Sequence, residues 1–173
     1  MRLFVAVPVP GELKEKAASL SKELEQDAIK PVKAENMHAT LRFIGEVEGK
    51  EKIEEKLRSV QFSEFKCTLK GAGVFPNENY VRVVWAGIES GGKLEELAKQ
   101  VQDALKGSPG DNRFSAHLTI ARVRKKISLK EFLGKHRDEE LGTFTVSQFE
   151  LIESVLGPEG PSYRTVAVFK ASG

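Results

Sequence analysis

His38-Ala39-Thr40-Leu41-Arg42-Phe43-Ile44 alternates polar and apolar side chains, and His117-Leu118-Thr119-Ile120 restates its first four positions 79 residues later. Residues two apart in a strand point to one face, with Cα atoms about 6.6 Å apart. Each histidine therefore shares a face with the threonine two positions on, while Ala39 and Leu41, or Leu118 and Ile120, supply the apolar back. With three histidines and six threonines in the chain, chance would place a threonine two residues after at least two of the histidines in roughly 0.4% of shuffled sequences.

Outward from the first motif, Arg2 to Val7 is an apolar, β-rich run, and Gly11 to Gln26 carries Leu13, Ala17, Leu20 and Leu24 at helical spacing. Ile53, Leu57 and Val60 mark a second helix, and Phe65 to Phe75 reads as a strand. The order strand, helix, strand, helix, strand then starts again. Val81 to Ile88 is a strand, Leu94, Leu97, Val101 and Leu105 stripe a helix, and Gly107-Ser108-Pro109-Gly110 stops it. The second histidine strand, Phe114 to Val123, is followed by Ser128-Leu129-Lys130-Glu131, which reads as a capping box opening a short helix. Strands at Phe144 to Ile152 and Tyr163 to Phe169 finish the chain.

The pairs His38/His117, Phe65/Phe144 and Val5/Val84 share the one spacing of 79 residues, which points to a duplication. The expected fold is α+β: a single domain over 1–173 of two lobes related by an approximate twofold axis, each an antiparallel sheet backed by helices. The halves meet at about 78/79, and a central, positively charged cleft holds both motifs.

A chain of 173 residues, 40% hydrophobic and 30% charged, is long enough to bury one sizeable core. The first apolar run is too short to span a bilayer and lacks a cleavage site, so the reading is of a cytoplasmic protein without membrane contact. Cys67, the one cysteine, alternates with Phe65 and Leu69 as a buried filler. Lys+Arg at 27 against Asp+Glu at 25 leaves a net charge of +2, too small for broad attachment to duplex nucleic acid, so any contact with nucleic acid is local. Arg122, Arg124, Lys125 and Lys126 cluster after the second motif and Arg42 lies inside the first; the last three of the cluster read equally well as solvated loop charges.

Two imidazoles in one cleft, each with an ordinary pKa near ~6.5, supply one neutral base and one protonated acid at physiological pH. Hydrolysis of a cyclic phosphodiester calls for such a pair: a base for the attacking water and an acid, in line on the far side, for the departing ribose oxygen. The hydroxyls of Thr40 and Thr119 are placed to donate to the nonbridging oxygens. The spacing gives neither H-x-x-E-H nor H-E-x-x-H and no third ligand, so no metal site is expected. Gly71-Ala72-Gly73 and Gly91-Gly92 lack the Lys-Ser/Thr of a phosphate loop, and no cofactor is expected.

His38-Ala39-Thr40-Leu41 and His117-Leu118-Thr119-Ile120 resemble the paired H-x-T-x signatures of the two-histidine phosphoesterase superfamily. Arg2 to Val7, Leu41 to Gly45, Val84 to Gly87 and the tail from Glu153-Ser154 through Gly160-Pro161-Ser162-Tyr163 resemble its RNA 2′,3′-cyclic phosphodiesterase branch, also called 2′-5′ RNA ligases. The resemblance spans essentially the whole chain. It implies a metal-independent hydrolase of RNA processing that opens 2′,3′-cyclic phosphate ends to 2′-phosphates, with reversible 2′-5′ ligation. The implied partner is RNA bearing such an end, tRNA fragments among the candidates, and a monomer suffices. It assigns His38 as acid and His117 as base, an order the residues themselves do not fix. It also implies a phosphate contact from Arg122, five residues after the second histidine. Strict alternation turns residue 122 away from His117, so that contact requires a bulge or strand end near Ala121; Arg42, in phase with His38, is the competitor.

His136, among charges and without a threonine two residues on, reads as surface, and Trp85, in an apolar strand, as core. Phe43, Phe75, Tyr80, Phe114 and Tyr163 are candidates to stack on a terminal base, with core packing the commoner fate of such residues. Two rival readings stand beside the enzyme: a noncatalytic RNA-end binding module that keeps the histidines as donors, and a structural duplication whose histidine strands are merely packed.

Overall fold

Arg2–Val7 (β1) has no polar alternation because both of its faces are covered: Leu3, Val5 and Val7 enter the main core, while Phe4 and Ala6 turn the other way and join Ile152 in a small second cluster. β1 lies between Ala39–Glu46 (β3) and Gln148–Gly157 (β8), and Gly160–Lys170 (β9) closes the edge beyond β8. The second sheet has the order Ile29–Pro31 (β2), His117–Val123 (β6), Tyr80–Glu89 (β5), Phe65–Asn77 (β4), Glu140–Val146 (β7). All pairings are antiparallel. The computed structural model describes residues 1–172, so the last position of the expected 1–173 domain, Gly173, lies outside the described residues.

The architecture is the expected α+β pair of antiparallel sheets with helices behind them. Gly11–Leu20 (α1) follows a strand of the first sheet, yet it packs on β6 and β7 of the second, burying Leu13, Ala17 and Leu20. Lys93–Ala104 (α3) connects two strands of the second sheet and packs on β3 of the first through Leu94, Leu97, Ala98 and Val101. Glu51–Leu57 (α2) lies beside α3, and Lys130–His136 (α4) packs on β4. Third strands are exchanged as well: the 79-residue offset carries β4 onto 144–156, most of β8, and each of these strands sits in the sheet begun by the other half of the chain. Both sheets and the helices consequently share one contiguous core.

Four local readings change. Phe144 to Ile152, expected as one strand, breaks at Ser147, where the chain leaves β7 in one sheet and enters β8 in the other. The capping box does not form: α4 begins at Lys130, and no side chain caps its N-terminus. Beyond α1, the expected helix continues only as short 3₁₀ turns at Ser21–Glu23 and Gln26–Ala28. His136 is buried, because it shares a helical face with Phe132, whose ring centroid lies 4.7 Å away. Its ring nitrogens are satisfied by Glu139 and by Glu23 at 3.1 Å, which lets it be buried although it stands among charges in the sequence.

Phe149 of β8 is wholly buried, stacked on Phe169 with centroids 4.8 Å apart and tilted against Phe62 at 5.9 Å. Phe149→Ala should cost about 3–5 kcal/mol of unfolding free energy, read as a lower urea midpoint at unchanged slope. A loss below about 1 kcal/mol would contradict the single shared core.

Candidate active site

His38 stands immediately before β3 and His117 is the first residue of β6, so the two motifs arrive on different sheets. β3 and β6 approach each other, and Thr40 and Thr119 line one cavity of about 500 Å³ together with His38, Phe43, Arg122 and Tyr163. His117 is outside that lining, two residues along the same strand from Thr119 and on its face.

The imidazoles are held in the same way. Nδ1 of His38 lies 3.2 Å from the carbonyl oxygen of Asn36, and Nδ1 of His117 lies 2.8 Å from that of Ser115. A carbonyl only accepts, so each Nδ1 carries the proton and each Nε2 is left to react. Asn36 and Ser115 are themselves 79 residues apart, so the anchor is duplicated along with the ring. His38 packs edge-on against Phe4 at 5.7 Å and Tyr163 at 5.3 Å; His117 packs against Phe75 at 5.0 Å and Trp85 at 6.3 Å. This aromatic cover strips water from both rings, and burial holds both pKa values below the ordinary imidazole value. The hydrogen bonds to Asn36 and Ser115 act in the opposite sense. Around His38, the Lys14 ammonium also lowers the pKa and the Glu150 carboxylate raises it.

The first extra residue in each histidine strand decides which side chains next reach the cleft. On β3, Ala6 pairs with Thr40 but Val5 with Arg42, leaving Leu41 as a bulge. On β6, Trp85 pairs with Thr119 but Val84 with Ala121, leaving Ile120 as a bulge. Leu41 and Ile120 are again 79 residues apart. A bulge reverses the facing of the residues that follow it, on β3 as far as a second shift that skips Ile44. Arg122 is thereby returned to the cleft face, where it lines the cavity. Arg42 is carried away from the cleft: it is 3% exposed, and its guanidinium donates to Asn112 and to the carbonyls of Ser108 at 3.2 Å and Pro109 at 3.0 Å. As a substrate contact, Arg42 is corrected to a strut between β3 and the 107–112 loop. The twofold mate of Arg122 is Phe43, which remains on the cleft side and is 60% exposed.

Further along the cluster that follows Arg122, Lys125 pairs with Asp27 at 2.6 Å. Trp85, expected in the core, is half-buried beside His117 and opposite Thr119, with Gly73 leaving room for its indole. It alternates with buried Val84 and Ala86, a pattern that the uniformly apolar run does not display in the sequence. Phe75, the other wall of His117, and Tyr163, a wall of His38, take their places through strand pairings that no local pattern announces. Cys67 is buried as expected, its thiol pushed up to about 12 by loss of water. Among the described residues, no group of three or more His, Cys, Asp and Glu side chains is arranged to hold a metal ion.

A family model described as LigT like Phosphoesterase matches residues 7–85. A protein of Archaeoglobus fulgidus named RNA 2′,3′-cyclic phosphodiesterase is 44% identical across 98% of this chain and 100% of its own length. The crystal structure of TT0787 of Thermus thermophilus superposes with a TM-score of 0.80 at 30% identity, covering 98% of this chain and 97% of that one. The crystal structure of E. coli LigT complexed with 3′-AMP superposes with a TM-score of 0.82 at 26% identity, covering 99% and 98%.

The bulges assign opposite fates to the two arginines. Arg42→Ala should lower unfolding stability by about 1.5–3 kcal/mol, the scale of buried hydrogen bonds to a charged donor. Arg122→Ala, at an exposed position, should stay within about 0.5 kcal/mol of the parent. Equal losses in chemical denaturation would contradict the facing described for both.

Proposed function

The chain belongs to the LigT-like phosphoesterase family, and on that premise we propose that it hydrolyses RNA 2′,3′-cyclic phosphate ends to 2′-phosphate ends by acid/base catalysis between His38 and His117. One observation carries the reading: two imidazoles, one from each sheet, have Nδ1 fixed on the carbonyl two residues earlier and Nε2 without a hydrogen-bond partner among the described residues. A core histidine gains nothing from having a twin with the same anchor and the same threonine beside it.

In the ground state His117 is neutral and His38 is an imidazolium. Nε2 of His117 accepts a proton from a water molecule as the water oxygen attacks phosphorus. The bond from phosphorus to the ribose 3′ oxygen breaks on the opposite side, and Nε2 of His38 delivers its proton to that oxygen. The products are a 2′-phosphomonoester and a 3′ hydroxyl; exchange of one proton with solvent restores the pair. Thr40 and Thr119 donate their hydroxyls to the nonbridging oxygens, and Arg122 adds charge-assisted hydrogen bonds where negative charge gathers. No step calls for a metal ion or a cofactor. The order, His38 as acid and His117 as base, follows the family resemblance; Glu150 favours the charged form of His38, while Lys14 opposes it.

The same geometry admits a 5′ hydroxyl of a second RNA in place of water, which forms a 2′-5′ linkage and, in reverse, cleaves one. Substrates are RNAs with cyclic ends, tRNA fragments among them, and the protein acts as a cytoplasmic monomer. No described helix is long and apolar enough to cross a membrane.

An oligoribonucleotide with a 2′,3′-cyclic end should be opened to a 2′-phosphate at the same rate with and without EDTA. His38→Ala and His117→Ala should each lower kcat/KM by about 10²- to 10⁴-fold while part of the product affinity survives. Binding without turnover by the parent protein would instead favour the noncatalytic module.

The pH dependence has a definite sign. Burial makes each imidazolium give up its proton at lower pH than a free imidazole, and the productive form needs one ring neutral and one charged. A plot of kcat/KM against pH should therefore be bell-shaped, with its maximum on the acid side of ~6.5. A profile flat through that region would argue against two titrating imidazoles.

A further inference from the structure

A cyclic phosphate is the 3′ terminus of its RNA, so the rest of the molecule can continue only from the 5′ side of the terminal nucleoside. An RNA substrate therefore needs an exit from the cavity, whereas a mononucleotide does not. Cations predominate in the cavity lining: Arg2 of β1, Lys30 of β2 and Lys33 just after it share it with Arg122, against the single carboxylate of Glu159. Lys30 pairs with Arg122 across β2 and β6, which puts the two side chains on the same face of the sheet.

All four cations are exposed, and none is ion-paired among the described residues. Some exposed cations elsewhere are neutralised: Lys125 lies on Asp27 at 2.6 Å, Lys135 on Glu23 at 2.8 Å, Arg164 on Glu153 at 2.6 Å and Arg113 on Asp111 at 2.9 Å. With a net charge of only +2 for the whole chain, an unpaired group of four cations beside one carboxylate is a local concentration of positive charge. The strand that carries Lys30 is itself poor at pairing: it is three residues long, lies at the sheet edge and contains Pro31. Its backbone is not offered to another strand, which leaves the side chains as its means of contact.

We propose that Lys30 and Lys33, with Arg2, form a track for the backbone phosphates immediately 5′ of the terminal nucleotide, so that the enzyme prefers single-stranded oligoribonucleotides to cyclic mononucleotides. This rests on the hydrolase reading above. The terminal nucleoside occupies the part of the cavity walled by Phe43 and Tyr163, and the chain leaves over the β2 edge. The contact is with phosphates, so it carries no base sequence preference.

The test compares a 2′,3′-cyclic mononucleotide lacking a 5′-phosphate with a six-nucleotide RNA ending in the same cyclic nucleotide, at several salt concentrations, for the parent and for Lys30→Gln/Lys33→Gln. The parent should prefer the oligonucleotide, with log(kcat/KM) falling as log[salt] rises. The double variant should lose on the order of tenfold on the oligonucleotide at low salt, and its salt slope should shrink by about 1.4, the share of two phosphate contacts to a single strand. Its activity on the mononucleotide should be unchanged, which also reports that it is folded. An unchanged slope and rate on the oligonucleotide would overturn the track, and so would equal losses on both substrates. A parent protein inert towards both would overturn the hydrolase reading and this proposal with it.

Discussion

A strand sends its side chains alternately to two faces, and each histidine strand obeys that rule only until a first extra residue is inserted. Leu41 and Ile120 are those residues, set at equivalent points of the two halves. Before them, histidine and threonine share the cleft face; after them, the facing is reversed. In the second strand this brings Arg122 to the cleft and buries Ala121, and in the first it brings Phe43 to the cleft and buries Arg42. A single local distortion, used twice, thus fixes the composition of the cleft and breaks its symmetry. One side presents a guanidinium and the other an aromatic ring, which is the asymmetry that a substrate with a phosphate on one side and a base on the other requires.

The exchange of third strands and of the long helices gives that arrangement its rigidity. Neither half of the chain completes a sheet by itself, since β4 serves the second sheet while β8 and β9 serve the first. Helices α1 and α3 add to this by crossing to the opposite sheet. Moving one histidine strand relative to the other would disturb a core that both sheets share, and close-packed cores resist such movement. Local anchoring then sets the rings: a carbonyl two residues upstream and two aromatic neighbours leave each imidazole little freedom except to gain or lose a proton at Nε2. The same aromatic cover lowers both pKa values, so the packing that orients the groups also tunes them.

Much of this was legible in the chain because periodicity and duplication are local signals. The paired motifs, the strand and helix order and the two-sheet α+β class follow from alternation, helical spacing and a repeated offset. What escaped depends on pairing partners. The bulges fall at leucine and isoleucine rather than at a glycine, so nothing in the composition marks them, and Arg42 and Arg122 could not be told apart by phase. The three-residue strand carrying Lys30 is too short to show a period. Ser147 divides what reads as one strand, because only the sheets on either side show where the chain changes partners. His136 looked like surface from its charged neighbours, yet it is buried and its ring is hydrogen-bonded by nearby Glu139 and by Glu23, 113 residues away. Trp85 was misread because Val83 to Ile88 is apolar on both faces and Arg82 is in phase with Val84 and Ala86, so alternation alone did not say which face is covered.

The account stands on a phosphorus atom lying between two imidazoles that come from different sheets. A crystal structure with the reaction product, a nucleoside 2′-phosphate, tests this most directly. It should show the phosphate flanked by Nε2 of His38 and Nε2 of His117 on opposite sides, its oxygens accepting from Thr40, Thr119 and Arg122. A phosphate held by one histidine alone, or seated away from both, would contradict it.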